Sequence, residues 1–275
     1  MSFICANSTV EIGEKPVIMG ILNVTPDSFH DSGKYFNLSD SVSRAYEIQA
    51  QGADILDIGA QSTRPGHTKI SAEEELERLT PVLERLGDIK IPISVDTYYP
   101  LVARECLRMG ADIINDASGT VNEEMIKTVA SFSAGYVVMH TGFDGKDISK
   151  DMKSKDMRAV DESTPICGQV DGFFRKIVGE CERLGLSREH ICADVGIGFG
   201  KSFLQNKELL TYKPAEDLAD LPLLIGVSHK RVVRQMFGDD TLAGTLKCNA
   251  LAYGAGFNIF RVHDVKEHMD WIKSL

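Results

Sequence analysis

The sequence predicts an α/β fold in which a single domain, residues 1–275, forms a closed (β/α)8 barrel. Eight short apolar runs alternate with helical patterns along the chain. Several of these runs are apolar throughout, as in strands buried on both faces of a parallel sheet. The length suits eight strand–helix units, which typically need about 250 residues. An open, doubly wound sheet remains the alternative, because a sequence does not reveal whether a sheet closes.

The predicted strands are short runs rich in β-branched residues. Their continuous apolar character, as in Leu223–Val227, distinguishes them from the alternating strands of a half-exposed sheet. In chain order the runs are Pro16–Val24, Asp54–Ile58, Pro92–Asp96, Asp112–Asn115, Gly135–His140, Ile191–Asp194, Leu223–Ser228 and Asn258–His263.

Apolar residues at helical spacing predict a helix after each strand. Ser71 followed by Glu74 has the form of a capping box at the start of the second helix, and Gly52 ends the first. The helices cover Asp40–Gln51, Ser71–Leu86, Leu101–Met109, Glu123–Phe132, Gln169–Leu184, Gln205–Ala219, Thr241–Tyr253 and Asp264–Ser274. The polar stretch Thr141–Thr164 is longer than an ordinary βα loop and predicts a lid or a mobile excursion.

The charge balance and composition exclude several classes of protein. The chain carries 40 acidic and 30 basic residues, a formal net charge of −10, which argues against a surface for nucleic acid. No apolar run approaches the roughly 18 residues that a membrane-spanning helix needs. The six cysteines have no metal-ligand spacing, and the first residues lack a secretory signal. We therefore expect a cytoplasmic protein that binds neither nucleic acid nor a membrane.

Every predicted strand ends in a polar or ionisable side chain, and in a barrel of this kind those ends form the active site. One such residue is explained equally well as a helix cap. Eight together predict a site, because burying carboxylates without partners is costly. The strand-end residues are Asn23, Asp57, Asp96, Asn115, Asp116, His140, Asp194, Ser228, His229, Lys230, Arg261 and His263.

These strand-end and loop side chains divide into two chemical groups. The acceptors and amides suit the edge of a flat nitrogen heterocycle, and they are Asp57, Asp96, Asn115 and Asp194. The cations and potential cations suit phosphate oxygens, and they are Arg64, Lys230, Arg261 and His263. Together they predict a substrate with a nitrogen heterocycle at one end and a phosphate ester or diphosphate at the other.

The glycine-rich segment Gly196–Ser202 fits neither the P-loop nor the dinucleotide-binding pattern. Its glycines would let a βα loop pass close under a bound ring, with Phe199 packed near that ring. A tight turn without a ligand role is the alternative interpretation.

Several of these segments, in order and at similar spacing over nearly the whole chain, resemble the dihydropteroate synthase family. The matching segments are Asn23–Phe29, Asp57–Gly59, Ser62–Gly66, Ser94–Thr97, Ile114–Asp116, Met139–His140, Gly196–Lys201 and Arg261–Asp264. Members of that family have a TIM barrel fold and usually use Mg2+. They join 6-hydroxymethyl-7,8-dihydropterin diphosphate to p-aminobenzoate, and they release pyrophosphate and 7,8-dihydropteroate in folate biosynthesis.

The resemblance implies a role for each matching residue, and it implies a homodimer. The pterin would contact Asp96, Asn115, Met139, Asp194, Phe199 and Lys230. The diphosphate would contact Asn23, Arg64, Arg261 and His263, with Asn23 also a ligand of Mg2+. The p-aminobenzoate would contact Thr63, Arg64, Pro65 and Ser228. The catalytic set would be Asn23, Asp96, Lys230, Arg261 and His263.

The sequence departs from the family pattern mainly on the p-aminobenzoate side. Ala60 and Gln61 stand where the family usually has glycine and glutamate, and His229 stands where it usually has arginine. Two other hypotheses therefore stay open: a pterin-binding methyltransferase domain that serves a methylated folate and a corrinoid partner, and a non-catalytic pterin-binding protein. Loops Thr25–Leu38 and Ala60–Ile70 are expected to order over the substrate.

Overall fold

Eight parallel strands close into a barrel in the computed structural model, which describes residues 1–24, 38–61, 69–142 and 165–275. The last strand pairs with the first barrel strand, which confirms the TIM barrel and rules out the open sheet. A two-stranded hairpin precedes the barrel. The strands are β1 (Ser2–Ile4), β2 (Thr9–Glu11), β3 (Val17–Asn23), β4 (Ile55–Gly59), β5 (Ile93–Asp96), β6 (Ile113–Asp116), β7 (Gly135–Met139), β8 (Ile191–Asp194), β9 (Leu223–Ile225) and β10 (Ile259–Val262).

The predicted barrel strands are all confirmed, and one of them is clearly shorter than predicted. β9 ends at Ile225, although the apolar run continues to Val227. The chain turns there, with the Lys230 amide donating to the Val227 carbonyl, and it takes a left-handed backbone conformation at His229 (φ 56°). The residues after Ile225 therefore leave the sheet and form a loop at the barrel mouth.

Helices cover the outside of the barrel, as the helical patterns predict. They are α1 (Leu38–Ala50), α2 (Ala72–Leu83), α3 (Pro100–Arg108), α4 (Glu123–Ser131), α5 (Ile166–Arg183), α6 (Phe203–Leu209), α7 (Arg231–Phe237), α8 (Thr241–Ala255) and α9 (Val265–Ile272). The Ser71 hydroxyl caps α2 by accepting a hydrogen bond from the Glu74 amide at 3.2 Å. The cap at this helix start is therefore confirmed.

The predicted helix Gln205–Ala219 is confirmed only at its beginning and is too long. α6 ends at Leu209, and only a short 3-10 turn, Glu216–Leu218, forms beyond it. Pro214 lies between them, and its ring removes a backbone donor and disfavours a continuous helix. The sequence also missed α7, because seven residues are too few for a clear helical period.

The hairpin β1–β2, which the sequence did not predict, closes the amino-terminal end of the barrel. Phe3 and Val10 pack against inward-facing barrel residues such as Met19 and Ile55. A Cβ added to Gly135 would lie 2.8 Å from the Phe3 ring, so the strand needs glycine there to admit that ring. We call this apolar cluster the floor of the barrel, and the opposite, carboxyl-terminal end its mouth. None of the described helices has the length and apolar character to cross a membrane.

Candidate active site

The mouth begins with a row of residues that are neighbours across the sheet. In the strand register Asn23 pairs with Gly59, Gly59 with Asp96, and Asp96 with Asn115. Gly59 carries no side chain, and a Cβ there would lie only 3.5 Å from that of Asp96. The row therefore brings together three of the predicted site residues, one from each of three strands.

Arg261 extends from β10 to two carboxylates, Asp57 on β4 and Asp96 within this row. Its Nε donates to Asp57 Oδ2 at 2.6 Å, and its Nη2 donates to Asp96 Oδ2 at 2.7 Å. Burial lowers the pKa of Arg261 and the two carboxylates raise it, with a net upward shift, so its charge is secure. The carboxylates hold the guanidinium at the mouth.

Asp57 departs from its predicted role as an acceptor for the heterocycle. The residue is fully buried, and its carboxylate accepts hydrogen bonds from Ser94 Oγ at 2.7 Å and from the Asn115 amide at 3.4 Å, in addition to Arg261. Its oxygens are therefore used within the protein. The sequence could not reveal this role, because Arg261 is 204 positions away along the chain.

Burial gives the mouth carboxyl groups their electrostatic character. It raises the pKa of Asp96 and also that of Asp194, even though cations lie near both groups. Desolvation disfavours a buried carboxylate unless donors satisfy it. Asp96 and Asp194 are therefore well suited to accept hydrogen bonds from a ligand, and perturbed groups of this kind are typical of functional sites.

Asp194, Phe199 and Lys230 meet on the next side of the mouth. Lys230 Nζ donates to the Ile197 carbonyl at 2.7 Å and lies 4.6 Å from the centre of the Phe199 ring. Burial lowers the pKa of Lys230 to about 8, although Asp194 counteracts the shift. Met139 is buried and pairs with Asp194 in the sheet. The predicted pterin group therefore forms one continuous wall.

The glycine-rich loop is organised by Lys201, a residue to which the sequence assigned no role. Lys201 Nζ is buried and donates to the carbonyls of His140 at 2.9 Å and Gly196 at 2.8 Å, with Phe199 at 3.3 Å. Gly196 has φ 66°, and a Cβ there would overlap the His140 carbonyl. The loop is therefore a tight turn held by a buried lysine, and the turn also carries Phe199 to the mouth.

His140, predicted as a strand-end polar group, is not a cation at the mouth. It is buried, and burial lowers its pKa to about 3, so the ring is neutral near pH 7. Its ring packs edge-on against Phe173, with 5.6 Å between the ring centres. We therefore assign His140 to the packing of the barrel wall.

Ser228 and His263 meet where the loops after β9 and β10 approach each other. His263 Nδ1 lies 2.9 Å from Ser228 Oγ, and the His263 amide donates to the same oxygen at 3.3 Å. The serine predicted for the p-aminobenzoate side and the histidine predicted for the diphosphate are thus in direct contact.

Other predicted features lie outside the described residues. They are Thr63, Arg64 and Pro65, most of the loops Thr25–Leu38 and Ala60–Ile70, and most of the stretch Thr141–Thr164. Gln61, at the edge of the second of these loops, is buried. Its side chain accepts from the Ile70 amide at 3.0 Å and donates to the Tyr98 hydroxyl at 2.5 Å. Gln61 therefore anchors both ends of the loop that carries Thr63 to Pro65.

Comparison with known proteins identifies the family. Residues 19–263 match the family model described as pterin binding enzyme. The dihydropteroate synthase of Escherichia coli is 37% identical over 93% of this chain and 89% of its own length. A probable bifunctional folylpolyglutamate synthase/dihydropteroate synthase of Halobacterium salinarum is 41% identical over 94% of this chain, which spans only 31% of that longer protein.

Solved structures agree with the sequence comparison. The Xanthomonas albilineans dihydropteroate synthase with 4-aminobenzoic acid superposes with a TM-score of 0.87 at 32% identity, covering 99% of this chain and 96% of that one. The Burkholderia cenocepacia dihydropteroate synthase complexed with 7,8-dihydropteroate gives a TM-score of 0.85 at 31% identity, covering 99% and 94%. The chain therefore belongs to the dihydropteroate synthase family of pterin-binding enzymes.

Proposed function

We propose that this transferase of folate biosynthesis joins 6-hydroxymethyl-7,8-dihydropterin diphosphate to p-aminobenzoate and releases pyrophosphate and 7,8-dihydropteroate. The observation that carries the proposal is the mouth itself. The acceptors are Asn115 and Asp194, which are buried, and Asp96, whose side chain is 12% exposed. They lie beside Arg261 and Lys230, two cations held in place by contacts within the protein. This arrangement fits a substrate with a donor-rich ring and an anionic leaving group.

The pterin would bind against the wall formed by β5 to β8. Its amino and ring N–H donors would be accepted by Asp96, Asn115 and Asp194, and Lys230 would donate to an acceptor on the ring. Met139 and Phe199 supply apolar surface beside these groups. Because Asp96 and Asp194 are buried, hydrogen bonds from the ring would offset part of their desolvation.

The diphosphate would bind at Arg261 and His263, with Asn23 and Arg64 completing the group. The hydrogen bonds to Asp57 and Asp96 use Nε and Nη2 of Arg261, so Nη1 has donors for phosphate oxygens. As the C–O bond breaks, pyrophosphate leaves with the bonding electrons, and Arg261 and His263 stabilise the charge on it. The Asp96 carboxylate would stabilise the positive charge that grows on the pterin methylene.

Magnesium fits the residues at this end of the barrel. Asn23 presents a neutral carboxamide oxygen at the end of β3, and Mg2+ is usually bound by one or two protein oxygens together with substrate phosphates. Among the described residues no group of three His, Cys, Asp or Glu side chains could hold a metal without the substrate. When bound, the ion would supply Lewis-acid assistance to the departing pyrophosphate.

The p-aminobenzoate would bind beside Ser228, with Thr63, Arg64 and Pro65 on the second loop. Its neutral aniline nitrogen forms the C–N bond with the methylene and releases a proton. The reaction requires no covalent enzyme nucleophile, which agrees with cysteines that are free and mostly buried. A methyltransferase role would leave Arg261 and His263 without a diphosphate to bind.

We also propose a homodimer that forms through the barrel helices. Leu204 on α6 and Leu251 on α8 are exposed, and both helices pack against α7. Burial of these side chains between two copies would remove apolar surface from water. Light scattering coupled to size-exclusion chromatography would give the mass of a dimer, and the mass of a monomer would contradict this proposal.

The synthase activity is tested by incubating purified protein with pterin diphosphate, p-aminobenzoate and Mg2+ and measuring dihydropteroate by chromatography. We expect product from the natural chain and none from Asp96→Asn. Pterin diphosphate binding without any product would point to a non-catalytic pterin-binding protein. Tighter binding of methyltetrahydrofolate than of the pterin diphosphate would favour the methyltransferase alternative.

A further inference from the structure

His229 connects the loop after β9 to the loop after β10. One ring nitrogen, Nε2, lies 2.7 Å from Asp264 Oδ2, and the other, Nδ1, lies 2.7 Å from Thr241 Oγ1 at the start of α8. Both polar atoms of the side chain are therefore committed to protein partners. Neither ring nitrogen is left to contact a substrate.

The backbone at His229 also requires support. Its φ of 56° is a left-handed conformation that non-glycine residues rarely adopt. The His229 amide donates to Thr245 Oγ1 at 3.2 Å, so backbone and ring are both tied to α8. This conformation directs His229 toward α8, and its neighbours Ser228 and Lys230 lie at the mouth.

The contact between His229 and Asp264, which we call the bridge, continues the pairing of two strands beyond the point where the sheet ends. β9 and β10 pair in register only as far as Ile225 and Phe260. Past that point the two loops are joined first by Ser228 and His263, then by His229 and Asp264. Each residue of the second pair directly follows a residue of the first, so the two loops are joined by side-chain contacts at two successive positions.

The Asp264 carboxylate is available for the contact with His229. It precedes α9 without capping that helix through its side chain, which leaves the carboxylate for His229. Its carbonyl accepts from the buried His268 ring at 2.6 Å. The bridge therefore runs from α8 through His229 to the first turn of α9, and both ends rest on helices.

We propose that His229 and Asp264 are positioning residues that hold Ser228 and His263 at their working separation. This inference rests on the proposed roles of Ser228 with p-aminobenzoate and of His263 with the diphosphate. Asn115 and Asp194 of the pterin wall lie on β6 and β8, away from the bridge. Lys230 directly follows His229, but its Nζ is held separately by the Ile197 carbonyl at 2.7 Å. Loss of the bridge should therefore affect the aminobenzoate and pyrophosphate subsites and spare the pterin subsite.

The test is a double-mutant cycle with His229→Asn and Asp264→Ala. Asparagine tolerates the left-handed backbone but is too short to reach Asp264. We expect each single variant to raise the KM for p-aminobenzoate and to weaken pyrophosphate binding by about tenfold, since small misplacements of reacting groups have effects of this size or larger. The double variant should be no worse than either single variant, and binding of 6-hydroxymethylpterin should stay within about twofold.

Controls separate positioning from general destabilisation. The bridge is partly exposed, with side-chain exposures of 37% for His229 and 27% for Asp264, so the thermal midpoint should change little. Arg175→Gln removes an exposed ion pair with Asp217 on the outer surface and should leave all kinetic constants unchanged. His229→Arg retains a donor for Asp264 and should recover most of the lost affinity. If His229→Asn does not fold, the isosteric Asp264→Asn serves in its place, with a smaller effect of about threefold.

Bridge variants that bind p-aminobenzoate and pyrophosphate as tightly as the natural chain would overturn the positioning role. A double variant whose loss of affinity equals the sum of the two single losses would overturn it as well. Pyrophosphate binding is measured by calorimetry and needs no turnover. If the natural chain makes no dihydropteroate, and both bridge variants bind pyrophosphate more weakly than the natural chain does, the proposed function is contradicted and the positioning role of the bridge is supported. If the natural chain is active and the bridge variants keep its affinities for p-aminobenzoate and pyrophosphate, the proposed function is supported and the positioning role is contradicted.

Discussion

The floor and the mouth of the barrel are built from the same strands, yet they differ completely in chemistry. Inward-facing residues alternate along a strand, so the floor residue and the mouth residue on one strand are two positions apart. The pairs of floor and mouth residues are Ile55 and Asp57, Ile113 and Asn115, Val137 and Met139, Cys192 and Asp194, and Ile259 and Arg261. The barrel thus passes from an apolar core to a charged site within about 7 Å of strand.

This difference separates the sources of stability and activity. The floor gains stability from the burial of apolar surface by the β1–β2 hairpin. The mouth buries Asp57 and Asp194 and leaves Asp96 partly buried, and these carboxylates lose solvation and depend on Arg261 and Lys230 for compensation. Substitutions at the floor should therefore change stability alone, whereas substitutions at the mouth should change activity and, where a buried charge loses its partner, stability as well.

The largest effect is expected for Arg261→Met at the mouth. The substitution leaves the Asp57 and Asp96 carboxylates without their shared counter-charge, and loss of one partner of a buried ion pair costs about 3–5 kcal/mol. It also removes the donor for the leaving pyrophosphate, so kcat should fall by about 100-fold or more. Urea unfolding and steady-state turnover measure the two effects.

A double variant isolates the contribution of the ion pair. Asp57→Asn combined with Arg261→Met removes one charge of each sign, so most of the lost stability should return while the activity stays low. A double variant that is as unstable as Arg261→Met would mean that the pairing of Asp57 with Arg261 does not govern the stability of the mouth.

The opposite pattern is expected for Phe3→Ala at the floor. Phe3 is fully buried, and truncation of a buried phenylalanine costs about 3–5 kcal/mol through lost burial and the cavity left behind. The KM values and kcat should stay within about twofold below the unfolding temperature, because Phe3 packs within the floor cluster. Phe3→Leu, which fills most of the same space, should cost less than half as much. A changed KM in either variant would contradict the separation between floor and mouth.

The sequence predicts the strands and the polar residues at their ends, but it does not predict the contacts between those residues or the hairpin at the floor. The barrel strands follow from apolar runs, and the mouth follows from the polar residue at each strand end, since both are local features. The compensation inside the mouth is not local. Asp57 and Arg261, and likewise Lys201 and the His140 carbonyl, become neighbours only when the barrel closes. The hairpin was missed for another reason, since its three-residue strands are too short to give a period.

The smallest effect concerns pH and comes from Glu75, on the helix that packs behind the mouth. Glu75 is buried, and burial raises its pKa from 4.5 to about 8. Below pH 4.5 both the folded and the unfolded chain carry the proton, so the stabilising effect of the buried protonated group is present in full. As the pH rises from 4.5 to about 8, the unfolded chain ionises first, and this stability is progressively lost.

Glu75→Gln replaces the protonated carboxyl with a neutral amide of the same shape and should remove this part of the pH dependence. We expect the variant and the natural chain to unfold with similar free energies near pH 4.5, and the variant to be the more stable of the two near pH 9. Glu77→Gln, on the exposed face of the same helix, should leave the difference between the two pH values unchanged. If Glu75→Gln keeps the pH dependence of the natural chain, Glu75 ionises as readily in the folded chain as in the unfolded one. The perturbed carboxyl groups would then be confined to the strand ends at the mouth.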